Sequence, residues 1–591
     1  MTGTRVKAEK MKADVIPLPA RMKSGRGRFV FEANATISAE ALFLPVAKYF
    51  SDILASAMGF QIKVRELEAT SCIRFSTGDA SLGDEGYELD VQLDRILIRA
   101  ANPAGAFYAC QTLRQLLPTE ISPELQSKST ATECRGLPAL GGAIGDQGYN
   151  KSNSVAAALC CRFPSQKNLP RYNFPRQPDG KVDWSVPCLS IQDQPRFPWR
   201  GMMLDTARQF LTKDFIKRYI DILAYYKMNR LHLHLTDNEA WTIEIKKYPQ
   251  LTEMDRWIWQ ADVQRSRGVY SQDDIREIVA YAASRYVVVV PEIEMPAHSL
   301  NSQLAMRDLL CPNNPWLKAR PDWKQWPELE PSCTTWPDRN LIAAEYCMGS
   351  EKTFEFFENV LTEVMDLFPS PWIHIGGDEY LGNTWSHCPL CQKRQATLSH
   401  EDSPEIAELH RNSKGDPRKY LLYRYGMRRI AEFVVAKGRV PVMWDTLAWH
   451  GKYPDGVVVH QWHSCDEPDD YEQTEVPGNP IVEAVENGHD VINSSCSHLY
   501  FDYDIVKTPL TKVYEYDPVP DQLPEEKRKH ILGAHSPVWG QRQENVDRQA
   551  FPRLLAVAEI NWSPHAMRNL ADFQGRLTRH KARLEDLGII I

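Results

Sequence analysis

A short apolar strand, two glycines and two adjacent carboxylates follow one another in the stretch Trp372-Ile373-His374-Ile375-Gly376-Gly377-Asp378-Glu379. Strict alternation along a strand would send Asp378 and Glu379 to opposite faces. Because glycine adopts backbone conformations that other residues avoid, the Gly376-Gly377 pair lets the chain bend where the strand ends. The stretch therefore predicts two carboxylates turned towards one pocket, or, as for most such dipeptides, a solvated Asp-Glu pair in a loop.

The strand in this stretch is one of eight strand-like runs that alternate with helical segments from Trp199 onward. Thr212 and Ser271 stand where they can cap two of the intervening helices. Eight strands separated by helices over about 340 residues are typical of an α/β fold of the (β/α)8 TIM-barrel class with long loops. The strand-like runs are 201–205, 230–235, 287–290, 372–375, 440–444, 457–462, 491–494 and 531–539.

A small α/β domain is predicted before the barrel, over residues 14–118. Apolar positions between Val46 and Leu54 recur at helical spacing, and a second helix is predicted to start at Gly105. Other segments alternate between apolar and polar residues as strands do. The alternating segments are 61–64, 87–91 and 96–100. Strands with two helices predict one sheet with helices packed on a face.

Residues 119–183 interrupt this pattern. They are rich in Ser, Pro, Gly and Asn and show no sustained period, so they are predicted to be an insertion or linker. The barrel domain is predicted to cover residues 184–591.

The composition is that of a globular protein long enough for two or more domains, with 591 residues, 43% hydrophobic and 25% charged. The net charge of -8 gives no reason to expect nucleic acid or an anionic membrane as a partner. No apolar run approaches the ~20 residues that span a bilayer. The first residues are polar and basic without an apolar core, and the 13 cysteines show no disulfide-framework spacing. These features predict a cytoplasmic location.

Polar and aromatic side chains cluster at the ends of the predicted strands. In a TIM barrel the carboxyl ends of the strands carry the chemistry. Carboxylates and arginine bind sugar hydroxyls, and flat tryptophan faces pack on the apolar side of a pyranose. The residues at these ends are Asp205, Arg208, His234, Asp237, Glu292, Glu294, His298, Asp378, Glu379, Trp444, Trp462, Tyr500, Asp502 and Trp539. The combination predicts a carbohydrate pocket.

Six ordered motifs make the chain resemble the β-N-acetylhexosaminidases of glycoside hydrolase family 20. The resemblance covers most of residues 193–565, and the first domain is similar to the small domain that precedes the family's barrel. The motifs are Arg200-Gly201-Met202-Met203-Leu204-Asp205-Thr206-Ala207-Arg208, His232-Leu233-His234-Leu235-Thr236-Asp237, Pro291-Glu292-Ile293-Glu294-Met295-Pro296-Ala297-His298, the stretch from His374 to Glu379, Tyr500-Phe501-Asp502, and Trp539.

The resemblance implies an exo-acting hydrolase that removes terminal β-linked GlcNAc or GalNAc from glycans or glycosides. Glu379 resembles the general acid that protonates the glycosidic oxygen. Asp378 and Tyr500 would orient and polarise the substrate's own 2-acetamido group, whose carbonyl oxygen attacks the anomeric carbon. Such a reaction retains the configuration and needs no nucleophile from the enzyme, no cofactor and no metal.

The same resemblance gives supporting roles to further residues. Asp237 and His298 resemble a dyad that tunes the acid, and Arg208 and Asp502 would hold sugar hydroxyls. The residues expected to line the pocket are Trp444, Trp462 and Trp539.

The sequence departs from the family's pattern at four positions. Gln541 stands where a glutamate usually follows the last tryptophan, Trp539, by two residues. Its amide can hydrogen-bond a sugar hydroxyl but brings no charge, so the preference between GlcNAc and GalNAc stays open. Asn238, Glu294 and Ala297 replace a common Asp, a common Asp and a common Gly, respectively.

Two other functions are consistent with parts of the sequence. A metal-dependent amidohydrolase is suggested by His232-x-His234 at a barrel strand end. Further histidines near other strand ends are His298, His374, His460 and His535. A metal would, however, compete with Asp378 and Glu379 for the same barrel mouth. The other alternative is a non-catalytic sugar-binding protein, since a fold does not determine a function.

Two smaller features have expectations of their own. Cys388-Pro389-Leu390-Cys391 has no second CxxC to complete a zinc site, so a pair of free thiols is expected. His232 is expected to be a packed histidine of the barrel interior, because histidines are often part-buried without binding a ligand. The oligomeric state and the natural glycan stay open.

Overall fold

The computed structural model describes residues 14–589, with gaps. The predicted insertion or linker at 119–183 lies outside the described residues and stays a prediction. The gaps are residues 33, 59–61, 68–70, 118–183, 254–267, 314–344, 381, 383, 399–417, 447–448, 450–451 and 465–478. The chain divides into two compact units, which consist chiefly of Pro19–Gln194 with Thr578–Ile589, and of Pro195–Leu577.

The first unit is a seven-stranded mixed sheet with two helices, which confirms the predicted small α/β domain. Its elements are β1 (Arg21–Val30), β2 (Thr36–Ala39), β3 (Lys63–Glu66), β4 (Ile73–Thr77), β5 (Tyr87–Val91), β6 (Ile96–Ala100), β7 (Ser185–Asp193), α1 (Leu44–Met58) and α2 (Pro103–Leu116). The strand order is β1-β7-β5-β6-β4-β2-β3. Strands β5 and β6 bury every second side chain, so one face of the sheet packs against the helices.

Strand β7 belongs to this sheet, although the sequence placed residue 184 and everything after it in the barrel domain. It pairs antiparallel with β1 and β5, and the Tyr87 hydroxyl on β5 donates to Asp193 Oδ2 at 2.8 Å. The second unit begins only at Pro195, and Thr578–Ile589 groups with the first unit. The predicted limits 14–118 and 184–591 are wrong at these two places, because segments far apart in sequence complete one unit.

The second unit is a closed barrel of eight parallel strands, which confirms the predicted fold class. Its strands are β8 (Gly201–Asp205), β9 (Arg230–His234), β10 (Val288–Glu292), β11 (Trp372–His374), β12 (Val440–Trp444), β13 (Val458–Gln461), β14 (Val491–Asn493) and β15 (Ile531–Val538). Successive strands are neighbours, and β15 closes the barrel against β8. Every residue of β8 and β9 is buried, since one face packs inside the barrel and the other lies under helices.

Helices follow most of the barrel strands. They are α3 (Lys213–Tyr225), α4 (Gln250–Glu253), α5 (Gln272–Ala283), α6 (Leu300–Ala305), α7 (Glu351–Leu367), α8 (Pro389–Gln395), α9 (Arg418–Ala436), α10 (Pro480–Glu486), α11 (Cys496–Leu499), α12 (Leu510–Glu515), α13 (Gln543–Ala550), α14 (Arg553–Trp562) and α15 (Leu570–Asp586). Both predicted caps are confirmed. Thr212 accepts from the Phe215 N–H at the start of α3, and Ser271 forms a capping box with Asp274 in α5. Across the described ranges, no helix is both long and apolar enough to cross a membrane.

The strand register places four polar residues side by side around part of the barrel. Asp205 on β8 pairs with His234 on β9, which pairs with Glu292 on β10, which pairs with His374 on β11. These are the last residues of their strands, so the chain that follows each of them emerges at the same end of the barrel. The loops that carry the predicted site residues therefore meet at one mouth.

Candidate active site

The chain bends sharply directly after β11. Gly376 and Gly377 have φ angles of 62° and 118°, in the region that favours glycine. A Cβ atom on Gly376 would lie 2.0 Å from Glu294 Oε1, so a larger residue would displace the Glu294 carboxylate. The Gly377 N–H donates to the same Glu294 oxygen at 3.1 Å, and the Tyr423 hydroxyl donates to the Gly377 carbonyl at 2.7 Å. Glu294 and Tyr423 thus hold the bend from two sides.

The bend turns both carboxylates towards one imidazole. His298 Nε2 lies 3.1 Å from Glu379 Oε2 and 3.6 Å from Asp378 Oδ2. An oxygen of Asp378 lies within 4.8 Å of an oxygen of Glu379. Glu379 itself has a φ of 47°, an uncommon value for a residue with a side chain. The two side chains turn towards the same imidazole, which agrees with the first of the two alternatives that the sequence left open.

The second nitrogen of His298 approaches another carboxylate. Nδ1 lies 3.4 Å from Asp237 Oδ1. Burial by itself would lower the pKa of His298, but the Asp237 carboxylate, together with Glu379 and Asp378, holds this pKa well above its usual value. The carboxylates on both sides of the ring therefore favour the protonated imidazole. It sits between Asp237 and Glu379 as the predicted dyad requires.

The two adjacent carboxyls have pKa values shifted in opposite directions. Burial raises the pKa of Asp378, and the neighbouring Glu379 carboxylate adds to this rise. Burial acts in the same direction on Glu379, but the adjacent His298 imidazole, 3.1 Å away, outweighs it and lowers the pKa of Glu379. Burial thus favours the protonated form of Asp378, whereas His298 favours the ionised form of Glu379.

Arg208 is held in place by two carboxylates at the ends of β8 and β9. Its Nη1 lies 3.0 Å from Asp205 Oδ2, and its Nη2 lies 2.6 Å from Asp237 Oδ2. Its guanidinium carbon lies 5.0 Å from the centroid of Trp539, and the side chain is 25% exposed. The arginine is fixed in orientation and still reaches solvent, so it can donate to a bound molecule.

An aromatic cluster forms one wall of the site. It contains Met203, Trp444, Trp462, Cys496 and Tyr500, with Tyr503 and Trp539 packed against it. The rings of Trp444 and Trp539 lie 5.8 Å apart, and those of Tyr500 and Trp539 lie 6.3 Å apart. Trp444 Nε1 donates to Glu292 Oε1 at 2.6 Å, which satisfies its polar edge and fixes its plane. The three predicted tryptophans and Tyr500 are thus brought together.

Asp502 and Gln541 follow the last two barrel strands. Burial raises the pKa of Asp502 to about 6, and its Oδ1 has no hydrogen-bond partner among the described residues. This oxygen can accept a hydrogen bond from a ligand hydroxyl. Gln541 is part-buried and follows Gly540, whose N–H donates to Asp205 Oδ2 at 3.0 Å. The turn that carries Gln541 is therefore tied to the carboxylate that holds Arg208.

Several supporting residues were not predicted. Asp445 receives the Trp462 N–H at 2.5 Å and lies 2.9 Å from His463 Nδ1, so it fixes the loop that carries Trp462. The position of Asp445 directly after the apolar β12 strand was the sequence signal that could have identified it as a site residue. Tyr423 comes from α9, and its hydroxyl contact with the glycine bend has no local signature in the sequence.

Two groups of histidines and carboxylates below the mouth could hold a metal ion. They are His232 with Glu292 and His374, and His234 with Glu292 and Glu294. His232 and His374 stack with ring centroids 4.7 Å apart, and burial lowers the pKa of His232 to about 4. All these side chains are at most 1% exposed. A catalytic metal needs a position open to substrate, which this buried layer does not offer. His232 is a packed histidine of the barrel interior, as expected.

The sequence comparisons agree with this architecture. The profile of the glycosyl hydrolase family 20 catalytic domain matches residues 197–565, and that of the family's domain 2 matches residues 12–139. A β-hexosaminidase of Porphyromonas gingivalis is 32% identical over an alignment that covers 98% of this chain. The chain spans 64% of the length of that relative.

Solved structures show the same fold over nearly the whole chain. The N-acetyl-β-hexosaminidase of Streptomyces plicatus in complex with Thio-NAglucal is 27% identical, with a TM-score of 0.70 and coverage of 98% of this chain and 96% of that one. The β-N-acetylhexosaminidase of Bacteroides fragilis is 26% identical, with a TM-score of 0.68 and coverage of 97% and 96%. The profile match over the barrel, together with the P. gingivalis relative, shows that the chain belongs to glycosyl hydrolase family 20.

Proposed function

We propose that the chain is an exo-acting β-N-acetylhexosaminidase. It removes terminal β-linked N-acetylhexosamine from glycans or glycosides with retention of configuration, and the substrate's acetamido group assists. Family membership supports this proposal, and one feature of the site carries it, the approach of Asp378 and Glu379 to the same nitrogen of His298. The cytoplasmic location expected from the sequence stays a prediction.

The closeness of the two carboxylates bears on the mechanism. Glycosidases that use a carboxylate pair place the two groups on opposite sides of the scissile bond, about 5–5.5 Å apart in retaining enzymes and about 6.5–9.5 Å apart in inverting ones. Asp378 and Glu379 are adjacent in the chain, bring oxygens within 4.8 Å of each other and approach the same nitrogen of His298. Two carboxylates turned to one imidazole do not match a pair that acts from opposite sides of a bond, which favours a nucleophile from elsewhere. The carbonyl oxygen of a 2-acetamido group is positioned to supply it.

The reaction then proceeds in two displacements. Glu379 protonates the glycosidic oxygen while the acetamido oxygen bonds to the anomeric carbon and the alcohol departs. Asp378 accepts the amide N–H and balances the positive charge of the cyclic intermediate, and the Tyr500 hydroxyl polarises the acetamido group. Glu379 then deprotonates a water molecule, which attacks the anomeric carbon. The bond between this carbon and the acetamido oxygen breaks, and the acetamido group is restored. Two inversions leave the product in the β-configuration.

Substrate binding prepares the acid. In the unliganded site the pKa of Asp378 is raised and that of Glu379 is lowered. An amide N–H that donates to Asp378 stabilises its carboxylate and lowers its pKa. A sugar that covers the 38% exposed side chain of Glu379 removes water from it and raises its pKa. Both changes favour protonation of Glu379 over Asp378, so a bound acetamido sugar favours the acid form that the reaction needs.

The remaining side chains fit the sugar ring itself. The aromatic cluster offers flat apolar faces to a pyranose, whereas Arg208 and the unpaired Oδ1 of Asp502 can hold hydroxyl groups. Gln541, on the turn after Trp539, offers a neutral amide to a further hydroxyl.

We expect hydrolysis of a chromogenic β-N-acetylglucosaminide to be unaffected by brief exposure to EDTA. The proposed reaction uses carboxylates and the substrate's amide, so no metal takes part in bond cleavage. The measurement is the initial rate before and after exposure, with bound metals quantified in the same samples. Loss of rate together with a released metal, recovery on added zinc and unchanged reactivity of the buried cysteine thiols would favour the amidohydrolase alternative. No hydrolysis in either sample would favour a sugar-binding protein.

We expect His298→Asn to shift the alkaline limb of the pH profile of kcat/KM upward by about one pH unit or more. The imidazolium lowers the pKa of Glu379, and this acid works only while protonated. Removal of the positive charge raises the pKa, so the protonated form persists to higher pH. Asparagine tolerates the φ of 49° at this position.

The matched control is His530→Asn at the amino end of β15, where His530 Nδ1 lies 2.8 Å from Asp490 Oδ1. The control should keep the wild-type profile. An alkaline limb of His298→Asn that stays in place or moves to lower pH would contradict the assigned role of His298.

A further inference from the structure

Four cysteines from separate parts of the barrel unit meet at one point outside the active site. Their sulfur atoms all lie within 4.8 Å of one another, and each residue is at most 2% exposed. The members of this cysteine cluster are Cys311, Cys347, Cys388 and Cys391. The sequence predicted only a pair of free thiols at Cys388 and Cys391. That prediction is incomplete, because the fold adds two more thiols to the pair.

The distances within the cysteine cluster match a metal site and not a disulfide. Cys347 Sγ lies 3.6 Å from Cys388 Sγ and 3.7 Å from Cys391 Sγ, and Cys311 Sγ lies 3.7 Å from Cys391 Sγ. A disulfide would need about 2.05 Å. Four sulfurs placed tetrahedrally at about 2.3 Å from a zinc ion lie about 3.8 Å from one another. The measured separations are close to that value.

The local backbone is arranged to present these sulfurs. Cys388 caps the N-terminus of α8, and its sulfur accepts the Cys391 N–H at 3.5 Å, which stabilises a thiolate. A Cβ atom on Gly349 would lie 2.3 Å from the carbonyl carbon of Leu390. Glycine at this position therefore allows the segment that carries Cys347 to lie directly against the CxxC turn.

We propose that the cysteine cluster binds one zinc ion through four thiolates, in a closed site of the structural type. Tetrahedral coordination by four sulfurs is typical of zinc, and a site with four protein ligands leaves no position for substrate. The site is separate from the catalytic residues and its occupancy does not depend on the proposed reaction.

The zinc ion would join the loop that carries Glu379 to the loop that carries His298. The loop after β10 runs through His298 and α6 to Cys311, and the loop after β11 runs from Glu379 to Cys388. The same loops are already linked by Trp385 Nε1, which donates to the Tyr346 carbonyl at 2.9 Å. A metal cross-link at this place restricts the motion of both loops, because a closed loop loses less entropy on ordering.

The first test is metal content. Wild-type protein purified under reducing conditions without chelator is expected to hold about one zinc ion per chain by elemental analysis. Cys347→Ser and Cys388→Ser are expected to hold almost none and to unfold at a lower temperature. Cys110→Ser is the matched control, because Cys110 is equally buried but lies in α2 of the first unit. Its zinc content should equal that of the wild type.

A second measurement does not depend on variants that fold. Exchange of the metal for Co²⁺ in the wild-type protein is expected to produce the strong visible bands of tetrahedral cobalt and the near-ultraviolet bands of thiolate ligation. Titration of the thiols with a mercurial reagent should release the metal in proportion to the thiols modified.

Several outcomes would overturn the zinc assignment. They are wild-type protein without zinc, iron in place of zinc, a disulfide between any two members of the cluster, zinc content unchanged in both serine variants, and cobalt without thiolate bands. None of these measurements involves hydrolysis, so such a failure is distinguishable from a failure of the proposed function.

Discussion

Glu379→Gln is expected to lower kcat/KM by ~10²–10⁴-fold for substrates whose leaving group is a sugar or another poor leaving group. The amide keeps the size and a hydrogen-bonding oxygen of the side chain but has no acidic proton to donate. A substrate with an acidic phenol as leaving group needs little protonation, so its bond-cleaving step should lose much less. The measurement is the ratio of kcat/KM values for the two substrates in wild type and variant.

The control for this prediction is Glu355→Gln, which removes the same charge from an exposed position on α7. It should leave both rates unchanged. Equal losses of the Glu379→Gln variant on good and poor leaving groups would show that Glu379 does not act as the general acid.

The second large effect concerns the acetamido group of the substrate. If this group is the nucleophile, a β-glucoside with a 2-hydroxyl lacks the reacting atom and should be inert at enzyme concentrations that cleave the N-acetylglucosaminide rapidly. A thiazoline analogue of the cyclic intermediate should bind at least about 10²-fold more tightly than GlcNAc, because it resembles a state that the site stabilises. The product, followed by NMR, should appear first as the β-anomer. An inverted product or rapid cleavage of the glucoside would refute the mechanism.

Asp378→Asn tests the same mechanism from the side of the protein. The charge that balances the cyclic intermediate is lost, so the rate on acetamido substrates should fall by about 10²-fold or more. Asp366→Asn, at an exposed position near the end of α7, is the matched control and should behave like the wild type. If the affinity of the variant for GlcNAc falls by as large a factor as its kcat/KM, the substitution has damaged the pocket and has not only removed a charge.

The barrel could be predicted from the sequence because its signals are local. Each of the eight predicted strand runs overlaps an observed strand, with limits that differ by a few residues at most. Buried parallel strands are short apolar runs, and capping residues such as Thr212 mark the starts of the helices between them. The alternation of the two patterns is sufficient for a (β/α)8 fold.

The sheet of the first unit was predicted only in part. Strand β1, with the sequence Arg-Met-Lys-Ser-Gly-Arg-Gly-Arg-Phe-Val, is exposed at most positions and has no apolar alternation. Strand β7 follows the long segment 119–183, so its pairing with β1 and β5 joins residues about a hundred or more positions apart. No pattern within either strand indicates its partner.

The sequence by itself determined the order of the elements, the polar residues at the strand ends and the sharp bend at Gly376-Gly377. Each of these follows from the side chains of a few consecutive residues. Only the tertiary structure decided that Asp378 and Glu379 approach the same nitrogen of His298, and that Cys311 and Cys347 complete the pair in the Cys388-Cys391 turn. The physical reason is that these contacts join loops that meet only when the barrel closes and brings the carboxyl ends of its parallel strands to one mouth.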